Sequence, residues 1–219
     1  MSNSRIEVPG GTYHVNANAL DGMLLFRDDV DRLAYLDLLI AEAERSRWTF
    51  FTYTLMSTHF HAILRIEETT LSSGFQHLQS LYGRRYNRRH NRRGVVWQRR
   101  FHDVLVDSER HLFEAIRYDA LNAPRANMCA KPEDWPWCFY GAAIGTHPAD
   151  PLVDERELLM LFGRDLGTAR RRLREYVEEK DPREGWRQTQ LRRTPEARQT
   201  PRVRREGARR PRRGGRRLS

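Results

Sequence analysis

The chain has 219 residues, 39% of them hydrophobic, with 39 lysines and arginines against 29 acids and a formal net charge of +10. That length fits one ordinary domain with an appendage. No apolar run approaches the ~18 residues a membrane helix needs and no signal-peptide core is visible, so a soluble cytoplasmic protein is expected. Cys129 and Cys138 match no zinc spacing and are too few for a disulfide framework. Reduced, buried thiols are the simpler reading.

The charge is concentrated. Residues 183–219 hold 14 Arg and 3 Glu, a net of +11 that leaves −1 for residues 1–182. Within that remainder, residues 84–100 hold eight Arg and no acid, so everything else sums to −9. Two arginine blocks on an otherwise acidic body form the electrostatic footprint of a phosphate-binding protein. GC-rich codon usage would also favour arginine, since only Lys131 and Lys180 are lysines, but it accounts for abundance better than for clustering.

In chain order, residues 10–19 alternate like a first strand. Asp28 and Asp29 then precede Val30, Leu33, Leu36, Leu39 and Ile40, a helical stripe over about 29–46. Trp48 to Met56 and His59 to Ile66 read as paired strands, and a second helix is predicted from Leu71 to about His90. Val95–Trp97 and Val104–Val106 read as short strands. A third helix, with Ser108 as N-cap, should end near Asn122, because Pro124 disfavours helix in the residue before it. Residues 133–147 form an aromatic loop that closes the core. Asp154–Phe162 and Thr168–Glu179 read as two helices, either a DNA-reading helix-turn-helix or a packing hairpin. Beyond Asp181 and Pro182 no hydrophobic period survives, so the arginine-rich tail should be disordered without a partner. The expected fold class is α+β, an antiparallel sheet with helices packed on one face. The expected divisions are a catalytic domain over 8–147, a helical extension over 148–182 and a basic tail over 183–219.

Candidate chemistry centres on His59-Phe60-His61. Alternate side chains of a strand share a face, so both imidazoles point one way and Phe60 points into the core. Tyr118 and Asn122, four apart on a predicted helix, also share a face. Each piece has a bland reading: His-X-His is usually a satisfied core or surface pair, a helical tyrosine is usually core, and an asparagine near a helix end is usually a cap. Together they suit phosphodiester chemistry. Two neutral imidazoles and an amide carbonyl leave open positions on a hard divalent ion, which phosphate oxygens can occupy. Tyr118 is the candidate nucleophile; a phenol titrating near ~10 needs the ion, a base or a cationic surround. Arg84, Arg85, Arg88, Arg89, Arg92, Arg93, Arg99 and Arg100, interleaved with Tyr86 and Trp97, suit a strand whose phosphates are neutralised while its bases stack. The plain alternative is a solvated helix end.

Several ordered motifs strengthen this. They are Pro9–Val15, Phe26–Asp29, Leu55–Leu64 with its paired histidines, Tyr86–His90, Trp97–Phe101, Val104–Asp107, Arg117–Asn122, Pro124–Ala126 and Pro132–Trp137. With these the chain resembles the REP-associated tyrosine transposases, a branch of the HUH single-strand DNA transposases, over roughly residues 8–145. The resemblance implies a ferredoxin-like sheet with the histidines on a central strand. It also implies a Mg or Mn ion held by His59, His61 and Asn122, and Tyr118 as the nucleophile that forms a 5′-phosphotyrosine on single-stranded or hairpin DNA. The chain departs from the family where Ser57-Thr58 replace Pro-Asn and where Asn122-Ala123-Pro124-Arg125 replaces Asn-Pro-Val-Arg. It departs again at Trp137-Cys138-Phe139-Tyr140, which lacks two hydroxyls, and at Ala17–Gly22, which lacks the usual Arg-Gly-Asn.

The sequence therefore predicts a metal-dependent DNA transposase or endonuclease associated with the nucleoid. Its alternatives are a non-catalytic, domesticated DNA- or RNA-binding module and a phosphodiesterase that uses water. Monomer and homodimer stay open, as do Mg and Mn.

Overall fold

β1 (Thr12–Asn18), α1 (Asp29–Ser46), β2 (Trp48–Leu55), β3 (His59–Ile66), α2 (Leu71–Arg89) and β4 (His102–Leu105) follow one another in a β-α-β-β-α-β sequence. The strands form one antiparallel sheet in the order β2-β3-β1-β4, the ferredoxin-like arrangement. The computed structural model describes residues 7–179, and all its helices and strands fall in the unit Met1–Glu178. The arginine-rich stretch 183–219 lies outside the described residues. Among the described residues, no helix is long and apolar enough to cross a membrane.

Strand alternation builds the core. Phe60, Ala62 and Leu64 of β3 lie opposite Ala17, Val15 and Tyr13 of β1, and all six are buried. On that face Tyr35 of α1 and Phe75 of α2 meet Phe60, with ring centroids 5.2 and 5.9 Å away. In β2 the register shifts between Phe50 and Thr52, so Phe51 is an extra residue. This bulge lets Phe50 and Tyr53 both face the core while Thr52 and Thr54 face the other side. The aromatic loop then covers the outer edge of β2: the Leu55 N–H donates to the Trp137 carbonyl (2.8 Å) and the Phe139 N–H to the Tyr53 carbonyl (3.1 Å). Cys138 is buried there as a free thiol, pushed up to about 12 chiefly by burial, which leaves it unreactive.

α1 differs from its predicted stripe. Val30 and Leu33 are exposed, whereas Asp31, Arg32, Tyr35, Leu39 and Glu42 are buried. The inward polar residues are satisfied: Asp31 accepts from the Arg27 N–H, Arg89 and His90, and Glu42 accepts from Arg45 and Ser46 and pairs with His77. Residues 95–97 make only an isolated bridge, Ala19 to Trp97, instead of a strand.

The third helix, α3 (Glu109–Arg125), starts as expected, with the Ser108 hydroxyl accepting from the His111 N–H (3.3 Å). It runs through Pro124 rather than stopping near Asn122. Burial of Ala120 and Ala123 holds the last turn helical, and the Ala126 N–H still reaches the Asn122 carbonyl (3.0 Å). α3 lies against the sheet face opposite α1 and α2, with Thr52 of β2 and His61 of β3 in contact with it. After a short 3₁₀ turn (Pro132–Asp134) come α4 (Tyr140–Ala143), α5 (Glu155–Met160) and α6 (Leu166–Glu178). Phe113 of α3 meets Phe162 and Tyr176, and the Arg117 guanidinium lies 3.9 Å over the Tyr176 ring.

Gly74 marks the tightest approach of α2 to the sheet. A Cβ there would collide with the Trp48 indole and come within 2.7 Å of a Glu42 carboxylate oxygen. Trp48 is buried, stacked 5.0 Å from Phe75, so it cannot swing away. Gly74→Ala is expected to destabilise by roughly 1–3 kcal/mol by overpacking, which outweighs the ~1 kcal/mol that alanine contributes to a helix. Urea denaturation monitored at the tryptophans measures it.

Candidate active site

The face of the sheet opposite α1 and α2 carries the polar residues of the alternating strands. His61 of β3 lies between Asn16 of β1 and Thr54 of β2, and His59 pairs with Asn18. Directly opposed residues of an antiparallel pair share a face, so these side chains converge. The His59 and His61 rings are edge to face, centroids 4.9 Å apart. α3 lowers Tyr118 onto them, its ring 5.2 Å from that of His61. Three of the four residues singled out from sequence are thus adjacent. Asn122, one turn further along α3, is buried on the Tyr118 side of that helix.

Burial, reinforced by the neighbouring His59 and His14, pushes the His61 pKa well below its ordinary value. At neutral pH His61 is therefore an uncharged imidazole with a lone pair to offer. Its Nδ1 and the Asn122 side-chain nitrogen are both buried with no hydrogen-bond partner. Which end of an amide is nitrogen is an assignment from the surrounding network, so each orphan is a buried atom that could serve a cation, one as an imidazole nitrogen and the other as a carbonyl oxygen.

Two further residues had no role assigned from sequence. His14 of β1 lies with its ring 5.7 Å from His61 and 6.1 Å from Tyr118. Asp119, fully buried, accepts from it at 3.2 Å and from the Thr52 hydroxyl at 2.6 Å. Burial alone would lower the His14 pKa, but the Asp119 charge and hydrogen bond more than offset it, and the net shift is upward. His14, His61 and Asp119 each offer a donor atom within 4.8 Å of the others and could hold a metal ion. The alternation of β1 already put His14 on the outward face; nothing local in the sequence indicated that Asp119 would meet it.

The arginine block divides in two. Arg89 is committed to the fold: its guanidinium pairs with Asp28 (2.7 Å) and Asp31 (2.6 Å), which raises its pKa, and so ties the end of α2 to the start of α1. Arg92 bonds the Asn87 side chain and the Val95 carbonyl. Arg84, Arg85, Arg88, Arg93, Arg99 and Arg100 are exposed. Arg99 and Arg100 adjoin β1, since the Gln98 N–H donates to the Asn18 carbonyl (3.1 Å) and His102 pairs with Asn16.

No protein-family model matches the chain, and no curated protein matches it. Among solved structures, that of a REP-associated tyrosine transposase bound to a REP hairpin matches with a TM-score of 0.56 at 15% identity, over 69% of this chain and 90% of that one. A tRNA(His) guanylyltransferase from Saccharomyces cerevisiae matches at a TM-score of 0.41 and 9% identity, over 83% and 84%; a likeness that low carries no argument. The α+β fold of this chain is that of a REP-associated tyrosine transposase.

The division of the arginines has a direct check. Arg89→Ala should lower the thermal midpoint, because it removes an ion-pair partner from both Asp28 and Asp31, whereas Arg88→Ala should leave it unchanged. Differential scanning fluorimetry of the two variants tests this.

Proposed function

We propose that this protein is a metal-dependent DNA transposase or endonuclease that cuts and rejoins single-stranded DNA through a 5′-phosphotyrosine, on hairpin or palindromic repeats. The observation that carries the reading is the convergence of His59, His61 and Tyr118 on one sheet face, with rings 4.9 and 5.2 Å apart. The likeness of fold to a transposase bound to a hairpin supports it.

The residues fit a divalent ion, Mg or Mn. His59, His61 and Asn122 would hold it, because His61 and Asn122 carry the orphaned polar atoms. Asp119 is the weaker donor, since each of its oxygens already has a partner. When bound, the ion polarises the phosphorus and neutralises charge that develops on the phosphate oxygens. The Tyr118 oxygen attacks phosphorus, forming the tyrosine–phosphate bond as the bond to the 3′ oxygen breaks. The phenol loses its proton and the released 3′ hydroxyl gains one. Because the phosphotyrosine keeps the diester energy, a later 3′ hydroxyl can reverse the step without a nucleotide cofactor. Exposed Arg84, Arg85, Arg88, Arg93, Arg99 and Arg100 would neutralise the backbone of the bound strand. Arg89 and Arg92 would act through the fold rather than on DNA.

The test uses labelled single-stranded hairpins from the flanks of its own gene, with Mg or Mn, on a denaturing gel. A metal-dependent band at protein mass is expected. Tyr118→Phe should remove it, and His61→Ala or EDTA should slow it by at least roughly 10²-fold, the scale of losing an electrostatic stabiliser. Cleavage without an adduct would mean water is the nucleophile. Binding with neither outcome, on hairpins from both flanks, would mean a nucleic-acid-binding module.

The arginines supply a second check. Arg84→Ala with Arg85→Ala should weaken hairpin binding and reduce the slope of log K against log salt by about 0.7–0.9 for each lost phosphate contact. Fluorescence anisotropy across a salt series reads both.

A further inference from the structure

We infer that Asp119, held by Thr52 and His14, is a positioning residue that sets the direction of the Tyr118 side chain. The inference rests on the tyrosine-nucleophile reading above and deepens it.

Asp119 is completely buried, follows Tyr118 in the chain and, among the described residues, pairs with no arginine or lysine. A buried carboxylate is costly, and an apolar residue would pack α3 against the sheet without that cost. What packing alone lacks is direction. Bonds to a carboxylate are short and oriented, and each Asp119 oxygen is taken by a different strand: Oδ2 by the Thr52 hydroxyl of β2, Oδ1 by Nε2 of His14 on β1. The Thr52 oxygen in turn accepts from the Ile63 N–H of β3 (3.1 Å). The amide N–H can only donate, so the Thr52 oxygen accepts there and the hydroxyl hydrogen is left for the carboxylate. One side chain thereby ties α3 to three strands.

The β2 bulge makes this possible by turning Thr52 toward α3. Consecutive helix residues project about 100° apart, so a fixed Asp119 allows α3 little rotation, and Tyr118 moves with it. His14 serves twice: it holds an Asp119 oxygen, and its ring meets that of Tyr118 near-perpendicular at 6.1 Å, beside His61, which meets Tyr118 at 5.2 Å. In-line attack is sensitive to such placement, and a ~1 Å error can cost about 10²-fold in rate.

The experiment compares wild type, Asp119→Asn, Thr52→Val, Thr52→Ser and His59→Ala in the full chain. The rate of covalent adduct formation at saturating hairpin DNA, hairpin affinity, Mn²⁺ affinity by electron paramagnetic resonance and the thermal midpoint are measured for each. In parallel, 3-fluorotyrosine is placed at position 118 and read by fluorine NMR without DNA or metal. Asp119→Asn should slow adduct formation by about 10²-fold, with hairpin and Mn²⁺ affinities within about twofold of wild type and the single fluorine line broadened or split. Thr52→Val should show a smaller effect in the same direction, and Thr52→Ser should restore both readouts. A rate that falls only in step with affinity and thermal midpoint, with the fluorine line unchanged, overturns the inference. So does loss of Mn²⁺ binding in Asp119→Asn but not in His59→Ala, which would make Asp119 a ligand. If wild type forms no adduct, the transposase reading fails, while the fluorine line still decides whether Asp119 orders Tyr118.

Discussion

The register of β3 between β1 and β2 is the constraint on which everything else depends. With His61 opposite Asn16 and Thr54, Phe60, Ala62 and Leu64 enter the core and both histidines face α3. A slip of one residue would exchange the faces, putting two imidazoles against Tyr35 and Phe75 and three apolar side chains against α3. The register is held by apolar burial on the opposite face. Tyr13, Val15, Phe60, Ala62 and Leu64 are each 0 or 1% exposed. The core therefore determines the site as strictly as the site residues do.

The sheet face supplies only half of the candidate site; the other half arrives on α3. That helix comes after the β-α-β-β-α-β unit is complete, so its placement is not dictated by the strand ladder. Two kinds of contact set it. Phe113 and Arg117 hold it to α5–α6 through Phe162 and Tyr176, and Asp119 holds it to the sheet through His14 and Thr52. The Phe113 ring contacts supply attraction without direction, whereas the carboxylate supplies direction at a cost in desolvation. The polar contact lies beside Tyr118, where placement matters most.

The arginines illustrate the same division of labour. In sequence the eight of residues 84–100 are alike. In the fold, Arg89 meets Asp28 and Asp31 at the junction of two helices, where His90 also reaches Asp31 (2.9 Å) and the Tyr86 hydroxyl donates to the Leu24 carbonyl (2.7 Å). A polar network of that kind fixes how α1 and α2 meet. The exposed arginines leave their charge in solvent, available to a polyanion. Similar residues are thus tied into the fold or left in solvent according to whether an acid from a distant segment lies within reach.

Much was decided by sequence alone. The strand and helix boundaries from Trp48 to Arg89, the N-cap at Ser108, and the shared face of His59 and His61 follow from local periodicity and capping chemistry, which depend on neighbours a few residues away. So does the spacing of Tyr118 and Asn122. What the tertiary structure decided depends on partners far along the chain. Pro124 remains helical because Ala120 and Ala123 are buried; Asp31 and Glu42 turn inward, leaving Val30 and Leu33 outside, because Arg89, His90 and His77 await them. Asp119 looked like one more polar residue on a helix until His14, 105 positions earlier, and Thr52, 67 positions earlier, took its two oxygens. Local pattern fixes which face a side chain occupies; only the packed chain determines what that face meets, because hydrogen bonds and ion pairs form between atoms close in space, whatever their distance in sequence.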